Sequence, residues 1–210
     1  MSLVWFALFN RCRRAFLAVP VAAGLGLAAC TWSPAGMPNA HYTDIKVALP
    51  KGNRIEVCSA YQCARRTPFT FTKADLQQIA QAMNRTVKAD TPAEERKGIA
   101  QAVAWVETRV GRQVGTWRDR PGSNPRYAGD PSQMDSFDEA TNTTSTLLIM
   151  ETYGLLRHHT VERPTSRGLS FGARAYAAVI VEKKKRHRFI VDSSIEANGK
   201  PPHILPIERW

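Results

Sequence analysis

The chain has 210 residues, of which 43% are hydrophobic and 22% charged, with 13 Gly, 13 Pro and 4 Cys. That composition excludes a disordered or collagen-like polymer and leaves one globular domain as the simplest organisation. A formal net charge of +11 excludes an acidic solvating tail but names no partner.

Residues 1–29 contain Arg11, Arg13 and Arg14, no acid, and an apolar stretch from Ala15 to Ala29, the pattern of an export signal rather than of a folded element. Pro20, Gly24 and Gly26 weaken a helix there. Beyond Cys30 no run approaches the ~20 apolar residues of a spanning helix. Leu27-Ala28-Ala29-Cys30 resembles the lipobox of bacterial lipoproteins, whose cysteine is acylated and becomes the mature N-terminus. The resemblance implies that Cys30 is a lipid anchor, with several acyl chains at one residue because each buried CH₂ adds only about 0.8 kcal/mol. Thr31 follows Cys30 where an acidic residue commonly marks inner-membrane retention, so the resemblance implies the periplasmic face of the outer membrane. Loss of three arginines lowers the formal charge from +11 to +8.

Export also decides how the cysteines read. With Cys12 removed and Cys30 anchored, Cys58 and Cys63 remain, close in sequence in an oxidising compartment, and a disulfide closing a tight turn is expected. None of His41, His158, His159, His187 and His203 completes a paired metal-ligand spacing, so no metal and no cofactor is expected.

From Thr31 to about Asn39 the chain is rich in Pro, Gly, Ser and Ala; residues 30–42 read as a tether and residues 43–210 as a single domain. Ile45–Leu49 and Arg54–Cys58 alternate around Pro50-Lys51-Gly52-Asn53, which predicts a hairpin. Thr72 with Asp75, and Thr91-Pro92-Ala93-Glu94, are helix starts. The second of these helices carries Ile99, Val103, Val106 and Val110 as an apolar stripe. Residues 115–133 are polar and Pro/Gly-rich, too long for an ordinary connector, and read as a functional loop. A third helix opens near Asp135, with Asp138 at its third position, and stops at Gly154. Ala175–Val181 and Arg188–Val191 predict an antiparallel hairpin with the basic tip Lys183-Lys184-Lys185-Arg186, and Ile204–Ile207 a last short strand.

The order of long loop, helix opening at Gln133-Met134-Asp135-Ser136-Phe137-Asp138-Glu139-Ala140-Thr141-Asn142, and hairpin ending in Val191-Asp192-Ser193 resembles the transglutaminase-like branch of the papain-type cysteine hydrolases. From about Val57 to Trp210 the chain is similar to a small proteobacterial group of that branch. Cys58 with Cys63, Gly129–Asp135, Glu139–Thr144, Ala178–Ile180 and Asn198-Gly199 also carry the likeness. It implies an α+β, papain-like fold with helices packed on a small antiparallel sheet. It further implies a cysteine at the N-terminus of the helix, a histidine on the first strand and an orienting aspartate on the second. Here Ser136 stands at the cysteine position and Ala175 at the histidine position, and Asp192 alone remains.

A hairpin turn centred between Lys183 and Lys184 sets Ala175 opposite Asp192, about 5 Å apart across the strands. His187 is then roughly 16 Å along the strand from Asp192, and His158 and His159 follow a helix roughly 27 Å long. His41 and His203 are the imidazoles whose distance from Ser136 the sequence leaves open. Serine without a base is a poor nucleophile; Ser136 or Asp135 also suits a helix cap, and Asp192 a backbone bond at a strand end.

The expectation is therefore an exported, lipid-anchored module without catalysis, holding a peptide or cell-wall segment. The alternative is an active amide hydrolase or acyl transferase using Ser136 with His41 or His203. The basic tip offers a contact for anionic lipid, but a solvated turn is the preferred reading. Nucleic acid is set aside, since no aromatic–basic interleaving or reading motif is found.

Overall fold

The computed structural model describes residues 36–168 and 174–210. The signal segment and Cys30 lie outside the described residues. Among the described residues no helix is long and apolar enough to cross a membrane.

Helix α1 spans Pro38–Ile45, with Pro at its first turn and Lys46 in the left-handed conformation at its end. It is anchored by Tyr42, 1% exposed, whose hydroxyl bonds Ser145 Oγ at 2.7 Å. Residues 38–42, assigned to the tether by composition, are thus helical, and His41 and Tyr42 are buried. Two turns of helix are too short for a periodic signal, and the stability of α1 comes from burying these two rings.

The predicted strand at Ile45–Leu49 is absent. Ile45 closes α1, and only a single bridge between Lys51 and Arg54 survives of the expected hairpin. Strand β1 (Arg54–Ser59) pairs instead with β2 (Arg65–Thr70), antiparallel, Cys58 opposite Arg66. The turn between them is closed by the Cys58–Cys63 disulfide. Ala60, Tyr61, Gln62 and Cys63 all have φ between 52° and 71°, a left-handed run that costs non-glycine residues roughly 1–2 kcal/mol each.

Helices α2 (Lys73–Asn84) and α3 (Pro92–Val114) start where the sequence places them. Thr72 and Asp75 form a reciprocal capping box. Thr91 caps α3 by accepting the Glu94 amide, while Glu94 turns to the Lys88 amide instead of completing a box. Helix α4 (Ser136–Thr152) has Asp135 as its N-cap, boxed with Asp138.

Four strands follow in a meander: β3 (His159–Gly168), β4 (Arg174–Glu182), β5 (Arg188–Asp192) and β6 (His203–Pro206), ordered β3-β4-β5-β6 and antiparallel throughout. Strand β3 has no counterpart in the sequence reading, because its Arg, Glu and Pro residues mask the alternation; a bulge lies between Glu162 and Thr165, at Pro164, where a proline is tolerated. Alternation along β4 and β5 divides the sheet's faces. Ala178, Ile180, Phe189 and Val191 join Leu147, Met150 and the α3 stripe in the main core, whereas Ala177 and Ile190 pack with Ile207 on the other side. Among the described residues the architecture is α+β, four helices with two small antiparallel sheets.

Candidate functional site

The start of α4 is held by a dense set of hydrogen bonds. Asp138, fully buried, accepts the amides of Cys63 at 2.6 Å and Tyr61 at 2.8 Å. Asp135 accepts the amide and side-chain NH₂ of Gln62 at 3.3 and 2.6 Å. Two carboxylates at the positive end of a helix therefore grip the left-handed turn. Asp135 is the cap, and Ser136 is the first helical residue, 4% exposed. The Ser136 amide donates to Ser123 Oγ at 2.8 Å, and the Ser136 hydroxyl oxygen accepts the Tyr176 amide at 3.2 Å. The serine thus lies against the backbone of β4 one residue from Ala175.

The expected pairing of Ala175 with Asp192 is not found. Ala178 faces Val191, Ala175 faces Arg167 of β3, and Asp192 faces His203 of β6. The register is displaced by two residues because the basic turn takes four residues, Lys183–Arg186, with Arg186 left-handed (φ 60°) and the Glu182 amide donating to the His187 carbonyl. A displacement of two keeps side chains on the same face. Ala175 and Asp192 are therefore diagonal, not opposed.

Asp192 is already committed. Its Oδ2 accepts the Trp210 indole N–H at 2.7 Å, and its Oδ1 accepts the amide and hydroxyl of Ser194 at 3.1 and 2.7 Å. The two histidines left open by the sequence are committed too. His41 Nε2 donates to Thr141 Oγ1 at 2.9 Å, since that hydroxyl gives its own proton to the Phe137 carbonyl. Burial, reinforced by Arg163, lowers its pKa to about 4. His203 pairs with Glu196 at 2.9 Å on the surface. Among the described residues no imidazole bonds the Ser136 hydroxyl.

Carboxyl groups crowd behind this point, Glu107 and Asp119 among them without a site motif in their local sequence. Burial pushes Glu107, Asp119 and Asp138 up to about 7, each against hydrogen bonds that lower it. Burial and the neighbouring carboxylates raise Glu139 well above its usual value. Glu107 and Glu139 face a cavity of about 30 Å³ shared with Thr116, Asn142 and Asn198, room for one or two waters. A partial sign was present in the sequence: Glu107 interrupts the apolar stripe of α3 beside Val103, Val106 and Val110. The sulfurs of Cys58 and Cys63 and the Asp138 carboxylate lie within 4.8 Å of one another, but joined sulfurs offer a metal no thiolate. At the basic tip Lys183 is tied to the Leu156 carbonyl and Arg188 to Glu162, leaving Lys184, Lys185, Arg186 and His187 exposed.

Chemically, among the described residues the Ser136 hydroxyl is bonded to no base and the Asp192 carboxylate to no imidazole. Comparison of the chain with models of known families, with curated proteins and with solved structures finds no match.

Proposed function

We propose that this chain is an outer-membrane lipoprotein, anchored through Cys30 and facing the periplasm. In this reading its transglutaminase-like domain has lost its chemistry and serves as a binding or structural module for a peptide or cell-wall segment. The observation that carries the reading is the state of Ser136. Its hydroxyl is buried and taken up by the Tyr176 amide, Ala175 supplies no base one residue away, and the acid that would orient one is bonded to Trp210. A hydroxyl needs a neighbouring general base to attack an acyl group. The order of α4, β4 and β5, with Asp192 closing β5, supports descent from the transglutaminase-like pattern.

A serine-directed fluorophosphonate probe tests the loss of chemistry. No labelling of the chain beyond that of Ser136→Ala is expected. Labelling abolished in Ser136→Ala would establish the active hydrolase instead. The anchor is tested separately by palmitate incorporation, which should be absent in Cys30→Ser; equal incorporation in both chains would remove the lipoprotein reading.

A further inference from the structure

The loop at residues 115–133 touches the Ser136 site through Ser123, which accepts the Ser136 amide, and it is fastened at many further points. Thr116, Asp119 and Gln133 are buried. Asp119 Oδ1 accepts the Met134 amide at 2.6 Å, Gln133 Nε2 donates to the Arg118 carbonyl at 2.9 Å, and the Gly122 amide donates to the Ser194 carbonyl at 2.7 Å. Between these inward anchors Trp117, Arg118 and Arg120 face solvent, and Trp117 is 53% exposed. Arg118 stacks 4.4 Å from the Trp117 ring, and Tyr127 lies between Arg120 at 5.0 Å and Arg126 at 5.5 Å. The aromatic–basic interleaving not recognised in the sequence is therefore present here. Arg112, Arg118, Arg120 and Arg126 form no salt bridge among the described residues.

Beside the exposed indole is a pocket of about 400 Å³ lined by Thr108, Arg112, Trp117 and Asn198. Two glycines let its walls pack closely. A Cβ on Gly111 would come within 2.9 Å of Asn198 Oδ1 and 3.2 Å of the Trp117 amide, and one on Gly199, where φ is +82°, would strike Thr108 Oγ1. The Gly199 amide is also held by Glu107 at 3.0 Å. Asn198 and Trp117 are thus drawn tight against α3, and the pocket is preformed. Thr108 Oγ1 gives its proton to the Ala104 carbonyl at 3.0 Å and keeps acceptor capacity.

We propose that this pocket binds an acidic saccharide. The apolar face of a sugar ring stacks on Trp117, its carboxylate or phosphate meets the guanidinium groups of Arg112 and Arg118, and its hydroxyls bond Asn198 and Thr108. An exposed aromatic with a few convergent polar groups is the make-up of a small-ligand site, and a planar guanidinium matches an oxyanion two bonds at a time. The volume accommodates one or two sugar rings rather than a flat surface. Single-stranded nucleic acid needs successive aromatic faces for successive bases, whereas here Tyr127 carries Arg120 and Arg126 and Trp117, with Arg118 over its ring, offers at most one further face.

The test is calorimetric titration of the full chain, extracted in detergent, with trigalacturonic acid and with the neutral maltotriose. Saturable binding of the acidic trisaccharide is expected, at least tenfold tighter than the neutral one and weakened by salt. Trp117→Ala and Arg112→Gln should each weaken it about tenfold while leaving the thermal melt unchanged, since both side chains are exposed. Equal binding of the two sugars, no binding of either, or binding untouched by both substitutions would overturn the proposal. So would oligothymidylate or phosphatidylglycerol vesicles binding through Trp117 in place of the sugar. Ser136 takes no part, so the outcome is separable from that of the fluorophosphonate experiment.

Discussion

Glu95 offers the sharpest test of what fixes α3 to the sheet. It is 4% exposed in the first turn of α3, and its carboxylate accepts the amides of Arg157, His158 and His159 at 2.7–3.0 Å and the His159 Nδ1–H at 2.8 Å. His159, fully buried, uses its other nitrogen to accept from Arg96 at 3.1 Å. Glu95→Gln keeps the shape but leaves one carbonyl oxygen, with two lone pairs, for four donors. Two donors are then stranded in the interior at about 1–3 kcal/mol each, a loss of about 4 kcal/mol. For a domain of this length that lowers Tm by roughly 10 °C. Urea unfolding followed by far-UV circular dichroism should show a lower midpoint at unchanged slope. The penalty also has a pH signature. Burial raises the Glu95 pKa, but the bonds from His159, His158 and Arg157 outweigh it and hold the carboxyl below its ordinary value. Its stabilisation is therefore complete above the unfolded pKa and lost as pH falls through the folded one, and the gap between wild type and variant should close as acid protonates the carboxyl. A loss under about 1 kcal/mol at pH 7 would refute the idea that this carboxylate organises the junction.

Other outcomes follow from the same geometry. Asp119, Asp138 and Glu107, each pushed up to about 7, bind protons more tightly folded than unfolded, so stability should fall as pH rises from about 4 to about 7. Asp119→Asn, whose Oδ2 has no hydrogen-bond partner among the described residues, should flatten that fall and melt no lower than wild type at pH 8; an unchanged pH profile would contradict the reasoning. Reducing Cys58–Cys63 should cost about 2 kcal/mol for so short a loop, measured by melts with and without dithiothreitol. Ala60→Gly, at a φ of 66°, should raise stability by about 0.5–1 kcal/mol, and a lower Tm would count against strain in the turn. In the double variant Ser136→Cys, Ala175→His the diagonal register should leave iodoacetamide labelling at the level of Ser136→Cys alone; a large increase would mean that the triad reassembles.

Legibility in the sequence followed locality. Thr72, Thr91 and Asp135 announce their helices because a cap acts within three residues, and the Cys58–Cys63 pair closes within one turn. The partner of β1 was misread because Ile45–Leu49 alternates more cleanly than Arg65–Thr70, where Pro68 and two arginines conceal an edge strand with Phe69 as its one buried residue. The register of β4 with β5 depended on how many residues the turn Lys183–Arg186 consumes, and the left-handed Arg186 carries no glycine to betray it. The commitments of Asp192 to Trp210 and of His41 to Thr141 were not legible, since each joins residues far apart in the chain. The acids Glu107, Asp119 and Glu139 converge for the same long-range reason.

The position of α1 has a bearing on how the domain stands on a bilayer. The Gly36 carbonyl accepts the Arg163 amide at 2.8 Å, so if Cys30 is acylated as proposed, six residues separate the lipid from this fixed point, a span of at most about 22 Å. That would be shorter than the domain is wide and would forbid free tumbling above the lipid. Arg186 lines the same groove as Gly36 and Met37, and Met37 and Leu49 are among the most exposed apolar side chains, at 72% and 48%. Acylation would consequently tilt this flank, cationic tip included, down toward the headgroups.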